Sequence, residues 1–159
     1  MEKILILKFF IFWLIGISYG VDIKVVDGDS LFIDNKEIRL SGIDAPEYHQ
    51  QCYDSQEKLY PCGKKAAQAL QNMIKNKQIS CKKIITDRYK REVSVCTSGK
   101  TNLNYQMVND GWAVAYTRYT KDYVSAEQKA KKYKRGIWNG RFLKPEYYRI
   151  LTRETKNKH

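Results

Sequence analysis

The chain has 159 residues, and its 29 Lys and Arg residues outnumber its 17 Asp and Glu residues, so its formal net charge at pH 7 is +12. Hydrophobic residues make up 43% of the sequence, which excludes an intrinsically disordered basic chain and suits one packed domain. A positive excess of this size favours polyanions as partners, namely nucleic acid, an acidic membrane surface or an acidic polysaccharide.

Residues 1–20 have the pattern of a secretory signal peptide. Lys3 and Lys8 provide a positive start, residues 9–17 are apolar, and the small residues Ser18 and Gly20 suit a cleavage site. A transmembrane anchor is the alternative, but this apolar run is shorter than the roughly 20 residues that span a bilayer. We therefore expect an exported protein, periplasmic or secreted, without stable membrane association once the signal is removed. The mature chain would keep a net charge of +12 − 1 = +11.

Alternation of apolar and polar side chains predicts an early β region. Residues 21–42 alternate in this way and are broken at two polar turns, which predicts three short strands. Residues 79–85 and 91–96 are rich in β-branched side chains and flank a polar turn, which predicts a hairpin. Five strands are therefore expected.

Three amphipathic helices are predicted, at residues 63–76, 102–110 and 122–135, from apolar side chains spaced three and four apart. Together with the strands, they indicate an α+β fold in which an OB-fold, a five-stranded Greek-key barrel, packs against three helices. We assign this domain to residues 21–151, and residues 152–159 to a polar tail that is expected to fray.

The four cysteines are interpreted as two disulfides, which suits an exported protein. Cys81 and Cys96 lie at equal distances from the centre of the predicted hairpin turn and should therefore face each other across the strands, within disulfide reach. Cys52 and Cys62 remain as the second pair. A zinc site is the rival interpretation, but the sequence has no Cys-x-x-Cys and only two histidines.

Polar residues interrupt the predicted strands at three places and supply the candidate catalytic groups. Asp29, Asp44 and Glu47 provide three carboxylates, and Arg39 and Arg91 provide two guanidinium groups. Each position taken alone fits an ordinary turn or a solvated charge. Together they form the set of groups that metal-assisted attack on a phosphodiester requires.

Five ordered motifs give the chain a resemblance to the staphylococcal nuclease family, in particular to its exported bacterial members. The motifs are Val26-Asp27-Gly28-Asp29-Ser30, Ile38-Arg39-Leu40, Gly42-Ile43-Asp44-Ala45-Pro46-Glu47, Asp87-Arg88-Tyr89-Lys90-Arg91 and Gly136-Ile137-Trp138. The resemblance implies an OB-type barrel with three helices. It also implies a calcium-dependent phosphodiesterase that cuts DNA and RNA and leaves 3′-phosphate ends.

The resemblance also implies a role for individual residues. Asp29 and Asp44 match the two calcium carboxylates, and the backbone carbonyl of Ala45 matches the third protein ligand of Ca²⁺. Arg39 and Arg91 match the arginines that bind the phosphate, and Glu47 matches the group that orients or deprotonates the attacking water. The family has Thr at position 45, a change that a backbone ligand tolerates.

A second departure from the family pattern is Lys90, where the family usually has Gly. We expect this change to tilt Arg91 and to lower the rate.

Substrate contacts are assigned by the same resemblance to Arg88, Tyr89, Tyr116 and Tyr119, with Arg118 as an alternative to Tyr119. Tyrosine rings stack on any base, so single-stranded or unpaired DNA and RNA are the expected partners of a monomeric enzyme. Two other interpretations remain. One is an OB-fold nucleic-acid-binding module with weak or no catalysis, and the other is an exported basic protein that binds acidic surfaces by charge alone.

Overall fold

The computed structural model describes residues 21–156, so the predicted signal peptide lies outside the described residues. The strands are β1 Ile23–Val25, β2 Ser30–Ile33, β3 Lys36–Leu40, β4 Ile43–Asp44, β5 Cys52–Tyr53, β6 Leu59–Tyr60, β7 Ile79–Thr86, β8 Glu92–Ser98, β9 Thr101–Asn102 and β10 Val114–Ala115. The helices are α1 Cys62–Ile74, α2 Leu103–Asn109, α3 Val124–Lys132 and α4 Pro145–Lys156, with a 3₁₀ turn at Gly136–Asn139.

The five predicted strands form one mixed sheet in the order β1-β2-β3-β8-β7, and β9 adds to β8. Its pairs are antiparallel except β3 and β8, which run parallel. Short pairs β10-β4 and β5-β6 lie outside this sheet. Three strands, a helix, a hairpin and then further helices reproduce the predicted α+β OB-type arrangement.

The β7-β8 hairpin has the predicted register, because Cys81 lies directly opposite Cys96. The two residues form a disulfide, and Cys52 and Cys62 form the other. The second disulfide ties β5 to the first residue of α1. Both cysteine pairs predicted from the sequence are therefore present.

The core lies between the sheet and the helices α1 and α2. Leu31 and Leu40 from β2 and β3 contribute fully buried side chains, and Leu70, Leu103 and Met107 cover them from α1 and α2. Alternation along the strands and three- and four-residue spacing along the helices place these side chains on facing surfaces. The sheet is thereby held rigidly beneath the loops that carry the candidate site.

The end of the chain differs from the prediction, because a fourth helix, α4, is present. Residues 152–156, expected to be part of a frayed tail, continue this helix. Pro145 at its first position and Glu146 in its first turn are ordinary helix-start signals. Between residues 21 and 156, none of the helices is both long and apolar enough to cross a membrane.

Candidate active site

Two buried carboxylates and one arginine form the centre of the site. Asp29 and Asp44 are each only 1% exposed. Arg39 binds Asp29 Oδ1 through Nη1 and lies 3.0 Å from Asp44 Oδ1 through Nη2. Because Arg39 pairs in register with Ser30, the residue after Asp29, the strand pairing itself brings these groups together.

Close packing of the turn before β2 fixes Asp29 against the loop after β4. A side chain at Gly28 would lie 2.7 Å from the Cβ of Ala45, so only glycine fits this approach. The backbone N–H of Ala45 then donates to Asp29 Oδ2 at 2.6 Å. Asp29 and Ala45, both expected from the family resemblance to be calcium ligands, are therefore direct neighbours.

Burial dominates the electrostatics of Asp29. Burial raises the pKa of Asp29 to about 7, against the opposing effect of the Arg39 charge. The pKa of Arg39 is raised, because the charges of Asp29 and Asp44 outweigh the effect of its own burial. A further positive charge beside Asp29 would therefore favour its ionised form.

Glu47 lies next to this centre, on the loop that follows β4. Its backbone N–H donates to Oε1 of the fully buried Gln50 at 3.2 Å. Gly63, at the start of α1, packs so tightly on this loop that a side chain there would lie 1.8 Å from the Glu47 carbonyl oxygen. The loop is thereby fixed, while the Glu47 carboxylate itself remains 35% exposed.

Arg149, on α4, completes the cluster and was not predicted from the sequence. Its Nη1 lies 2.9 Å from Asp44 Oδ1 and 2.7 Å from Glu47 Oε1, and its Nη2 lies 3.0 Å from Asp44 Oδ2. Burial opposes its charge, but hydrogen bonds and charges from Asp44 and Glu47 raise its pKa. Recognising α4 from Pro145 and Glu146 would have been the signal that pointed to this residue.

Arg91 lies in the turn before β8 and binds Asp87 instead of the buried carboxylates. Arg91 Nε and Nη2 lie 2.9 and 2.8 Å from Asp87 Oδ2, and the Arg91 backbone N–H donates to Asp87 Oδ1 at 3.0 Å. Within residues 21–156, Arg91 makes no hydrogen bond or ion pair with Asp29, Asp44 or Glu47. Thus the structure brings four predicted site residues together, Asp29, Arg39, Asp44 and Glu47, and pairs Arg91 with Asp87 instead.

Arginines surround the exposed ring of Tyr89 in this same turn. The guanidinium carbons of Arg88 and Arg91 lie 4.9 and 5.4 Å from the ring centroid. Arg88, followed by Arg153 of α4, lowers the pKa of Tyr89. The turn therefore presents an aromatic ring among positive charges, which suits a nucleic acid strand.

An open cleft of about 460 Å³ lies beside Asp44. Tyr116 lines it together with Arg118, and the Arg118 guanidinium carbon lies 5.8 Å from the Tyr116 ring. Tyr119 is 74% exposed, and its ring is tilted against that of Tyr116, with the ring centroids 5.2 Å apart. Of these two tyrosines, Tyr116 thus lines the cleft and Tyr119 extends into solvent.

The donors at this centre fit a hard cation. The side chains of Asp29 and Asp44 and the backbone of Ala45 offer only oxygen ligands, as Ca²⁺ prefers. Within residues 21–156, no three His, Cys, Asp or Glu side chains gather into a metal-binding group. A calcium ion here would thus depend on two carboxylates, with backbone, water and substrate oxygens filling the other positions.

Comparison with known proteins places the chain in a family. Residues 37–140 match the family described as "Staphylococcal nuclease homologue". The chain is 36% identical over 119 residues to the succinoglycan biosynthesis protein ExoI of Rhizobium meliloti, covering 72% of this chain and 62% of that protein. It is 32% identical over 123 residues to an uncharacterized endonuclease of Haemophilus influenzae, covering 73% and 64%.

A micrococcal nuclease of Shigella flexneri is also similar, with 27% identity over 137 residues that cover 76% of this chain and 73% of that protein. The chain spans less than two thirds of the length of the two relatives named before it.

Proposed function

Because the chain belongs to the staphylococcal nuclease family, we propose that it is a nuclease that uses Ca²⁺ to hydrolyse phosphodiester bonds of DNA and RNA and leaves 3′-phosphate ends. The observation that carries this proposal is the cluster of Asp29, Arg39, Asp44 and Glu47. Two buried carboxylates beside a guanidinium group and a more exposed carboxylate provide sites for a cation, for a phosphate and for a water molecule. The open cleft that Asp44 lines would bring a strand to one side of this cluster.

Arg39 and Arg91 would bind the phosphate. A guanidinium group has five N–H donors, and the recorded bonds of Arg39 use three of them. Two donors are left for phosphate oxygens, where a charge-assisted bond strengthens as negative charge develops on them during attack. Arg91 would act after exchanging its contact with Asp87 for the phosphate.

Glu47 would orient the attacking water and accept its proton. The water oxygen would form a bond to phosphorus and the bond from phosphorus to the 5′-oxygen would break. The departing 5′-oxygen would take a proton from solvent, which leaves a 3′-phosphate and a 5′-hydroxyl. A bound Ca²⁺ would add positive charge beside the phosphate and stabilise the transition state. Asp29 and Asp44, with the Ala45 carbonyl, would hold that ion.

Substrate contacts are proposed for Arg88, Tyr89, Tyr116 and Tyr119. The exposed Tyr89 and Tyr119 rings offer stacking surfaces that tolerate any base, which would favour unpaired strands. We also propose that the protein works as an exported monomer, in the periplasm or the medium. Its two disulfides support export, since such bonds persist in oxidising compartments.

Incubation of the protein with denatured DNA, in calcium or in EDTA, tests the proposed function. We expect fragments with 3′-phosphate ends in calcium alone. Arg39→Ala should slow cutting by a factor of about 10² to 10³, and Lys129→Gln, which removes an exposed positive charge on α3, serves as the matched control. Retention of DNA without cutting would favour a binding module, and disruption of anionic vesicles without cutting would favour a surface-active basic protein.

A further inference from the structure

We propose that Arg149 is a positioning residue of this active site, which holds the Glu47 carboxylate beside Asp44 in the orientation that directs water at the phosphate. The inference rests on the proposed function and assigns a role to a residue outside every motif that carried the family resemblance. It concerns how Glu47 acts and does not change which bond is cut.

The Glu47 carboxylate has a single side-chain partner. It is 35% exposed, and within residues 21–156 only Arg149 binds it. A partly exposed glutamate without a partner samples several rotamers, and ordering it has an entropic cost. The 2.7 Å hydrogen bond from Arg149 Nη1 holds the carboxylate in one position before substrate binds, so the carboxylate need not be ordered during the reaction.

Asp44 in turn holds Arg149 in place. Nη1 and Nη2 bind the two oxygens of Asp44 side by side, at 2.9 and 3.0 Å. Such a two-pronged arginine–carboxylate pair fixes both distance and plane. Asp44 is buried and belongs to β4, which pairs with β10, so the anchor is part of the rigid fold.

Gln50 links the Glu47 loop to the segment before α4. Gln50 is fully buried and provides this link, because its Oε1 accepts from the Glu47 backbone N–H and its Nε2 donates to the Leu143 carbonyl at 2.6 Å. Leu143 lies two residues before α4 begins. One buried side chain therefore ties the Glu47 loop to the segment that leads into the helix of Arg149.

The chemistry of the side chain explains why arginine suits this position. Arg149 serves two carboxylates with three of its five donors, and the planar fork keeps the donors in fixed directions. A lysine would keep the charge on a single nitrogen and could not bind both Asp44 oxygens and Glu47 in one plane. Lysine should therefore restore only part of the function.

The test is a double-mutant cycle with Arg149→Gln, Glu47→Gln and the double variant, measured in calcium with denatured DNA. We expect Arg149→Gln to lower kcat about ten- to a hundredfold, because a charge-assisted hydrogen bond is lost. KM should change little. In the Glu47→Gln background the same change should cost about twofold or less, because the group that Arg149 positions is then already gone. Arg149→Lys should recover part of kcat.

Calorimetric titration with Ca²⁺ supplies a readout that does not depend on activity. Arg149→Gln removes a positive charge beside Asp44, so it should bind Ca²⁺ as tightly as the unmodified protein or more tightly. A general loss of structure would weaken calcium binding and lower the melting temperature instead. If Arg149→Gln does not fold, the same cycle with Arg149→Lys decides the matter, and Lys129→Gln controls for the lost charge.

Three outcomes would overturn the inference: losses that multiply in the double variant, unchanged kcat in Arg149→Gln, or a rise in kcat that would show Arg149 to block the site. Failure of the proposed function has a different signature. In that case the unmodified protein does not cut DNA in calcium at all, and calcium titration shows no binding in any variant.

Discussion

Lys90 occupies a backbone conformation that usually belongs to glycine. Its φ is 68°, in the left-handed region, and its backbone N–H still donates to the Asp87 carbonyl at 3.0 Å. The turn is therefore kept despite the departure from the family pattern. The conformation is strained, since the left-handed region costs residues other than glycine about 1–2 kcal/mol.

Lys90→Gly should therefore stabilise the protein. We expect the free energy of unfolding to rise by about 0.5–1 kcal/mol, because relief of strain exceeds the greater freedom of glycine in the unfolded chain. Urea unfolding measures the change. Lys90→Ala removes the same charge but keeps the strain, so it should give no such gain, and equal effects of the two variants would contradict this explanation.

Asp87 gives the same turn a pH-dependent stability. Burial opposes its ionisation, but hydrogen bonds from the Arg91 and Tyr89 backbone and from the Arg91 guanidinium outweigh that effect and lower the pKa of Asp87. A lowered folded-state pKa stabilises the protein above the unfolded-state pKa of about 4, and the stabilisation is lost as the pH falls through the folded-state value.

Asp87→Asn should accordingly reduce the free energy of unfolding by about 1 kcal/mol at neutral pH. The difference from the unmodified protein should shrink as the pH falls well below 4, where both proteins are neutral at this position. Urea unfolding at a series of pH values follows it. A difference that stays constant from neutral to strongly acidic pH would show that altered hydrogen bonding of the Asn side chain, and not the lost charge, is responsible.

Four site residues could be placed from the sequence because strand pairing determines where they lie. Ser30 pairs with Arg39, so the pairing of β2 with β3 brings Asp29 beside Arg39. Asp44 and Glu47 follow soon after β3, so a correct prediction of the first three strands places all four residues near one another. The pairing of Arg91 with Asp87, four residues away in the same turn, depends on side-chain orientation. The contact of Arg149 with Asp44 joins segments 105 residues apart, so the helix-start signals at Pro145 and Glu146 could reveal α4 but not what Arg149 binds.

At the scale of elements, α4 is the part of the fold that sequence reasoning missed. Its apolar side chains at Tyr147, Ile150 and Leu151 have helical spacing but are 46–55% exposed, and the segment is rich in charge. A mostly polar end of a chain resembles a tail for this reason. In contrast, β2, β3, α1 and α2 place apolar side chains in the core, and their patterns are correspondingly clear.

The two disulfides should differ in what they support. Each closes a loop of similar length, with separations of 15 and 10 residues, so removing either pair should cost about 3 kcal/mol of stability. Cys81 and Cys96 join two strands of the hairpin. Cys62 begins α1, whose Gly63 packs on the Glu47 carbonyl, so this second bridge also supports the candidate site.

We therefore expect Cys52→Ala/Cys62→Ala to lower kcat as well as stability. Cys81→Ala/Cys96→Ala should lower stability alone when activity is measured well below its melting temperature. Parallel measurements of thermal unfolding and of DNA cutting compare the two variants. Equal losses of kcat would mean that the Cys52–Cys62 bridge has no special connection with Glu47.

In the molecule as a whole, we expect only a few of the positive charges to contact the substrate directly. The formal charge of +12 comes from side chains spread over the whole chain, and exposed lysines lie on both α1 and α3. Such charges attract any polyanion and raise the rate of encounter. Specific contacts, in contrast, should come from Arg39, Arg88 and Arg91, which surround the proposed phosphate positions.

The salt dependence of DNA binding separates these two contributions. If Arg39, Arg88 and Arg91 each neutralise one phosphate of a single strand, the logarithm of the binding constant should fall with the logarithm of salt concentration with a slope of about −2. Fluorescence titration of single-stranded DNA in EDTA, where no cutting is expected, measures this slope. Arg88→Gln should reduce its magnitude by about 0.7, whereas Lys129→Gln should leave it unchanged. A slope near −8, as about eleven neutralised phosphates would produce, would instead mean that the whole basic surface binds the strand and that no small set of arginines defines the contact.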